Sequence, residues 1–493
     1  MKTSTLFSTP TGNSYLFDIK KQYLLNLHPV IELIHNCSKE NASEMDTTQL
    51  LSQKYPALTD AEIRMYQGKY AFLKTHGFFD ELNADEMLAE SVTPNTVKNQ
   101  LINLLFITFQ LTGECNLNCR YCCYGDLYER NQIGNRAPMQ FDTIKKSFDY
   151  LIPLWKLFPY SKLIGVGFYG GEPLLNFPLI EQTVSYCKML ETSNNVEFSF
   201  SITTNALLLN KYSNYLADND IRLLISLDGD EKANSLRVDK SNRPSFDRVF
   251  KNIKKLQNEY PDYFNEKVDF NAVMNRNSTA EGVNDFIFKE FGKKPLFSPV
   301  SKVGINQERV NELLEILQPP YTESDELRAA RKEKSSKIQE LGAFFFYNLN
   351  NSFKFFSEIL YNNKFAIRKY PTGTCLPFNK KIYITSDNKI YACERIGLDQ
   401  ILGEIGEEVH INLEKVANKY TTIYTHIKKQ CAGCYMADMC SECLFQFPFD
   451  EKGMPVCPHS CGEEDYKMIL NKKISFLETH PELFNDVNKM VLQ

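Results

Sequence analysis

The sequence predicts an α/β fold centred on a parallel sheet curled into a full or partial barrel, with a small module of strands and helices before it and a cysteine-rich region after it. Three observations carry this reading. From about residue 101, short apolar runs alternate with amphipathic helical segments, a pattern that implies parallel strands joined by crossover helices and a site where the strands' C-terminal ends emerge. The first hundred residues follow another order, strands and then helices. Past residue 370 the helical period gives way to closely spaced cysteines, eight of them from 375 to 461.

In the N-terminal module, residues 1–95, the runs TSTLFST and NSYLFDIKKQYLLNL read as two or three short strands. HPVIELIHNC then starts a helical period. After the polar stretch SKENASEMDTTQ, two further helical segments follow, LTDAEIRMYQGKYAFLKTHGFF and DELNADEMLAESV. The order resembles a winged-helix unit. A DNA-reading role is disfavoured because no Lys/Arg stripe accompanies it.

The central unit, residues 100–305, supplies six candidate strands: LLFITFQL, LIGVGFY, EFSFSIT, RLLISLD, VDFNAVM and PLFSPV. Helical candidates between them include TIKKSFDYLIPLWKLF, LIEQTVSYCKMLET, SFDRVFKNIKKLQNEY and TAEGVNDFIFKEF, so the expected core is a partial, TIM-like (β/α)6 barrel. Residues 306–370 read as a mostly helical linker with a breaker at QPPYTES. Residues 371–493 open with KIYITSDNKIYAC, a hairpin turning at SDNK, continue as the cysteine-rich stretch, and end in a helix from about Glu463.

Composition narrows the class of protein. The 493 residues, 43% hydrophobic and 24% charged, are those of an ordinary globular chain with material for several domains. A formal charge of -5 argues against a general nucleic-acid binder, which needs basic surface to displace counterions. No stretch has the pattern of a signal peptide or the length of a membrane span, so the protein reads as cytoplasmic. In a reducing compartment, fourteen cysteines point to metal or redox ligands rather than to disulfides.

The first cysteine group is Cys115, Cys119 and Cys122 in TGECNLNCRYCCYGD, directly after the first barrel strand. Three thiolates in C-x3-C-x2-C can wrap three corners of a cubane iron-sulfur cluster and leave the fourth iron without a protein ligand. A zinc site would want a fourth ligand, and Cys123 should point away if Cys122 points in. With an aromatic residue, Tyr121, before the last cysteine, the motif resembles the signature of the radical S-adenosylmethionine (radical SAM) enzymes. That resemblance implies a [4Fe-4S] cluster whose open iron is chelated by the SAM amine and carboxylate. An electron then cleaves a carbon-sulfur bond of SAM, and the 5'-deoxyadenosyl radical takes a hydrogen atom from the substrate.

Further segments match the same family. FYGGEPLLNF, after the second strand, resembles its GGEP motif, which implies SAM-amine contacts for Gly170, Gly171 and Glu172. SITTNALLLN resembles a Ser-x-x-Thr-Asn pattern that places Ser201 near the SAM ribose, with Ala206 where the family has Gly. SLDGDEKANSLR resembles a segment in which Arg237 approaches the SAM carboxylate and Asp228 lines the pocket. A salt bridge is the alternative for those two, and core packing is the alternative to an adenine contact for Tyr121.

The second group comprises Cys375, Cys393, Cys431, Cys434, Cys440, Cys443, Cys457 and Cys461, enough thiolates for two four-iron clusters or two all-thiolate zinc sites. Its spacing resembles the SPASM domain, the auxiliary-cluster extension of radical SAM peptide-modifying enzymes. The resemblance implies three [4Fe-4S] clusters in all. It assigns Cys375, Cys393 and Cys443 to the first auxiliary cluster, and Cys431, Cys434, Cys440 and Cys461 to the second. Cys457 either closes the first or leaves it open. Glu394 falls where sulfatase-maturing relatives carry an acidic residue thought to act as base; a solvated Glu near Arg395 is the other reading.

Taken together, the resemblance implies a radical SAM/SPASM maturase that modifies a ribosomally made precursor peptide. Residues 1–95 would bind the peptide's leader as an added strand, and hydrogen abstraction would close a thioether or carbon-carbon crosslink. Its partners are the precursor peptide and an external electron donor of flavodoxin or ferredoxin type. A sulfatase-type maturase that oxidises Cys or Ser to formylglycine is the enzymatic alternative, and a non-catalytic, zinc-binding peptide scaffold is the other.

Overall fold

Strand-forming runs of Phe, Leu, Ile and Val gather into two sheets in the computed structural model, which describes residues 3–19, 23–40, 42–81, 88–128, 136–157, 161–301, 304–317, 370–437 and 440–483. The smaller sheet is antiparallel in the order β1 (Ser4–Ser8), β2 (Ser14–Asp18), β3 (Tyr23–Leu27), so β1 and β3 are its edges. Three helices follow: α1 (Pro29–Lys39), α2 (Glu44–Lys54) and α3 (Asp60–Thr75). Two start at capping boxes legible in the sequence, Ser43 with Asp46 and Thr59 with Glu62, which satisfy otherwise unpaired N–H groups of the first turn.

Period-2 alternation divides the small sheet between two cores. Leu16 and Leu27 pack with Val30, Ile31, Ile34, Leu51 and Ile63. Phe7, Phe17 and Ile19 belong instead to the main core, where the Phe17 ring meets Tyr466 at 6.2 Å. The Glu478 carboxylate adds polar anchoring by accepting hydrogen bonds from Thr9, Thr11, Asn13 and Tyr15. Residues 82–87, inside the third expected helical segment, lie outside the described residues.

After α4 (Pro94–Ile102), six strands enter the large sheet in chain order and run parallel: β4 (Phe106–Thr112), β5 (Lys162–Gly170), β6 (Val196–Thr204), β7 (Arg222–Ser226), β8 (Val268–Met274) and β9 (Leu296–Pro299). The helices between them are α5 (Phe141–Trp155), α6 (Phe177–Ser193), α7 (Leu209–Asp218), α8 (Phe246–Glu259), α9 (Pro261–Lys267) and α10 (Ala280–Phe291). On β6, Phe198, Phe200 and Ile202 are buried in the core, while Ser201 and Thr203 on the opposite face are half-buried. Helix α7 is missing from the sequence reading. It is short and polar, and its inward stripe is only Leu209, Ser213 and Leu216.

The expected hairpin forms, with β10 (Ile382–Ile384) pairing antiparallel to β11 (Lys389–Tyr391). It does not stand apart, because β10 also pairs parallel with β4, Ile382 opposite Ile107 and Ile384 opposite Phe109. With β12 (Gly403–Ile405) and β13 (Val409–His410) the sheet has ten strands in the order β13-β12-β11-β10-β4-β5-β6-β7-β8-β9. Its ends are β13 and β9, so it is open rather than closed among the described residues.

Of the linker expected over 306–370, only the first dozen residues and Tyr370 are described, including α11 (Val310–Ile316). Helices α12 (Leu413–Cys431) and α13 (Glu463–Thr479) complete the C-terminal part. No helix among the described residues is long and apolar enough to cross a membrane.

Candidate active site

Strand β4 delivers the chain to the cysteine loop at the C-terminal end of the parallel sheet. Two tight turns wind the loop, the Cys122 N–H donating to the Cys119 carbonyl at 3.0 Å and the Gly125 N–H to the Cys122 carbonyl at 2.8 Å. The segment after β7 pins it from outside, with Asn118 N–H on the Val238 carbonyl at 2.7 Å and Arg120 N–H on that of Leu236 at 3.0 Å. On the other side, β5 presses against the loop's start. A Cβ on Gly170, at φ +139°, would lie 2.3 Å from the Thr112 carbonyl oxygen, and one on Gly171 would lie 2.2 Å from that of Glu114. Only glycine permits that approach.

These contacts bring Cys115, Cys119 and Cys122 together as free thiols. Cys115 Sγ accepts from the Leu117 N–H at 3.4 Å and from Asn205 Nδ2 at 3.5 Å, and Arg237 Nη1 lies 4.0 Å from Cys119 Sγ. Burial, with the nearby Glu172, Cys119 and Cys122 acting in the same direction, pushes the Cys115 thiol up to about 12. Burial raises Cys119 to about 12 against the pull of Arg237. Loading a metal body here therefore has to release protons. Cys123, next to the triplet, is an exposed free thiol.

Next to the thiols lies a buried polar network. Tyr121 donates its hydroxyl to Asp228 Oδ2, while Asp228 Oδ1 accepts from Arg237 Nη2 at 3.0 Å and from the Val273 N–H at 2.9 Å. Arg237 also lies over the Tyr121 ring, 5.5 Å from its centroid. Burial pulls the guanidinium pKa down, but the charge of Asp228 outweighs it and holds the group firmly protonated. Arg237 Nε is buried without a partner. A buried donor left unpaired is costly, and an anionic group entering beside Tyr121 would satisfy it. Tyr121 is thus both core, packed with Leu127, Tyr128 and Val300, and an orienting group for Asp228.

Glu172 is completely buried and ties β5 to β6. Its Oε1 accepts from Leu174 N–H at 3.1 Å and Thr204 Oγ1 at 2.8 Å, and its Oε2 accepts from Asn205 N–H at 2.8 Å. Oε2 retains capacity for one more donor, as an ammonium group would require. Burial overrides those bonds and raises its pKa to about 7. Ser201 sits half-buried on the face of β6 opposite Phe200 and Ile202. Ala206 adopts φ +62°, a left-handed conformation that glycine takes without strain, which accounts for the family's Gly there.

The C-terminal cysteines sort into two places. Cys375, Cys393 and Cys443 surround the fully buried Tyr420. Close approach of Gly373 to the Ser441 carbonyl, where a Cβ would lie 2.4 Å away, and a bond from Leu444 N–H to Thr374 Oγ1 at 2.8 Å draw the first and last of these together. Cys431, Cys434, Cys440 and Cys461 lie at the end of α12 and the start of α13. Cys457 lies with Cys431 and Cys440, its N–H bonded to Gln430 Oε1 at 2.9 Å.

Glu394 pairs with Lys381, whose Nζ donates to both carboxylate oxygens at 3.0 Å, rather than with Arg395. Burial works against the charge, but Lys381 prevails and holds the carboxyl below the usual range. Around it stand residues that the sequence reading missed, Tyr169 on β5 and Tyr383 on β10, the strands on either side of β4, and Tyr124 from the cysteine loop. The signal was present in the period-2 positions of KIYIT and GFYGG, but their meeting requires β10 to join β4.

Residues 109–286, which hold the thiol triplet and most of the parallel sheet, match the Radical SAM superfamily model. The superfamily implies a [4Fe-4S] cluster and SAM, and the thiols of Cys115, Cys119 and Cys122 beside the partnerless Arg237 Nε are chemically suited to such groups. Among relatives, an uncharacterized protein of Methanocaldococcus jannaschii is 27% identical over 316 residues, 64% of this chain and 93% of that one. A cysteine-type anaerobic sulfatase-maturating enzyme of Clostridium novyi is 23% identical over 349 residues, 67% of this chain and 84% of that one. The solved structure of anSMEcpe with bound AdoMet aligns with 78% of this chain and 96% of that one, at 20% identity and a TM-score of 0.46.

Proposed function

We propose that this protein is a radical SAM peptide maturase that modifies a ribosomally made precursor peptide, generating a carbon radical that closes a thioether or carbon-carbon crosslink. The observation that carries the peptide substrate is a cleft of about 560 Å³ beside the edge strand β3, between β3 and α3, lined by Leu27, His28, Ile31, Met65, Tyr66 and Phe72. An extended peptide can add its backbone to such an edge while side chains enter the apolar cleft. Met65 and Phe72 are exposed there, which supports use of the cleft by a partner.

In this reading the bound cluster and SAM supply a 5'-deoxyadenosyl radical that removes a hydrogen atom from the peptide. The chain's own residues position the reactants. Arg237 Nε meets the SAM carboxylate, Glu172 Oε2 accepts from the SAM amine, Gly170 and Gly171 let the backbone approach, and Ser201 faces the ribose. Tyr121 and Asp228 orient Arg237 rather than touching SAM first. Cys375, Cys393 and Cys443 would hold a first auxiliary cluster. Cys431, Cys434, Cys440 and Cys461 hold a second, with Cys457 beside them. Glu394, kept ionised by Lys381, stands next to the first set as a weak proton acceptor.

A second reading has one observation in its favour. The match to a sulfatase-maturating enzyme covers most of that protein, which suits oxidation of Cys or Ser to formylglycine. Substitutions in the cleft separate the two while leaving the module's anchoring to α13 untouched. With Met65→Glu/Phe72→Glu, the crosslinking reading expects SAM cleavage to persist and modification of a leader-bearing peptide to fall at least tenfold. Mass spectrometry after treatment with a hydrazide distinguishes the products: a crosslink loses two hydrogens and leaves no carbonyl to trap, whereas formylglycine, whether made from Cys or from Ser, carries an aldehyde that forms a hydrazone. Full modification of a short leaderless peptide to the aldehyde overturns the crosslinking reading.

A further inference from the structure

A second cleft, of about 660 Å³, opens on the outer side of the cysteine loop, and its lining includes Cys115 itself together with Lys240, Arg243, Arg248 and Lys251. The basic residues are built onto the site, not scattered near it. The segment carrying Lys240 and Arg243 is the one bonded to the cysteine loop through Val238 and Leu236. Asp239 fixes its shape, accepting at 3.0 Å from both Arg243 Nε and Arg248 Nη2 and at 2.9 Å from the Ser241 N–H. Asp239 is itself buried, so its charge is spent inside while the Arg243 and Arg248 side chains stay 72% and 49% exposed. Lys240 pairs with Glu114 across the rim at 3.1 Å and remains largely exposed. Four cations thus face two carboxylates on a chain whose formal charge is -5.

We infer that this cleft is the docking surface for a small acidic protein that carries one electron on a flavin or an iron-sulfur centre. The inference rests on the radical SAM reading of the domain, which requires an electron from outside the chain. Cys115 is the thiol of the triplet that lines this cleft. A carrier seated here lies against one thiol of the triplet, and tunnelling falls off exponentially with distance. In the transfer the carrier is oxidised by one electron and the centre held by Cys115, Cys119 and Cys122 is reduced by one. No bond to the protein forms or breaks, and no proton has to move. Opposite charge steers the encounter even though a carrier of this kind and the enzyme both bear net negative charge.

The test uses the fully loaded enzyme and purified acidic flavodoxin. Lys240→Glu/Lys251→Glu reverses two cleft charges, and Lys98→Glu/Lys289→Glu changes net charge equally on exposed sites outside the cleft lining. The dissociation constant is measured by fluorescence titration at low and at physiological salt. The cleft variant is expected to bind about tenfold or more weakly at low salt, with a flatter salt dependence, while the control stays within about twofold of wild type. SAM cleavage driven by dithionite should be unchanged in the cleft variant, and cleavage driven by reduced flavodoxin should fall with the affinity. Equal binding by wild type and cleft variant, equal losses in cleft variant and control, or no flavodoxin binding by wild type overturns the docking assignment. Failure of dithionite to support SAM cleavage in wild type strikes the radical SAM reading instead.

Discussion

The hydroxyls of Tyr124 and Tyr383 lie 3.1 Å apart, joining the loop of the first cysteine group to β10, the first strand of the hairpin that leads to Cys393. Tyr169 meets the same Tyr383 ring edge-on at 6.4 Å, and Lys381 with Glu394 stands beside them. Tyr383→Phe leaves the Tyr124 hydroxyl without this partner in a buried setting. A loss of about 1 kcal/mol in denaturant unfolding is expected. Peptide modification should fall further than SAM cleavage, because the pair lies between the two cysteine sites and outside the Tyr121–Asp228–Arg237 network.

The two cysteine regions should lose metal independently. Cys119→Ala is expected to remove about four irons per chain and abolish SAM cleavage. Cys461→Ala should lower the iron content by a similar amount while SAM cleavage persists. Iron analysis after anaerobic reconstitution, combined with a 5'-deoxyadenosine assay, checks both. Unchanged iron in Cys119→Ala contradicts the ligand set.

Arg237 combines two features that a lysine cannot, a pairing with Asp228 through Nη2 and a second, partnerless donor at Nε. Arg237→Lys should keep the ion pair and fold, yet weaken SAM binding about tenfold or more, read by equilibrium dialysis. Arg237→Met leaves Asp228 buried and uncompensated and is expected to cost roughly 3–5 kcal/mol of stability.

Glu172 makes stability depend on pH in a definite direction. Burial raises its pKa to about 7 from an ordinary 4.5, so the folded chain holds this proton more tightly than the unfolded chain does. Its contribution is complete below about pH 4.5 and is lost as pH climbs to about 7, where the folded state also ionises. Glu172→Gln cannot titrate. The melting temperature of the metal-free wild type should therefore decline relative to the variant across that interval and run parallel to it above. A rise instead would contradict the buried, proton-retaining carboxyl.

The sequence by itself determined whatever is written locally. The C-x3-C-x2-C spacing, the capping boxes at Ser43 and Thr59 and the apolar alternation of the parallel strands each occupy a few consecutive residues, and their geometry follows from backbone sterics and hydrogen bonding within one turn or strand. Tertiary structure alone decided what depends on pairing between distant segments. Residue spacing gave no means of knowing that β10 would extend the barrel sheet at β4 and carry Tyr383 to Tyr124. Nor could it show that Lys381, not Arg395, would hold Glu394, that Cys457 would sit with Cys431 and Cys440, or that Lys240 and Lys251 would share a cleft with Cys115. Those meetings are fixed by packing of side chains far apart in the chain, and no single stretch records them.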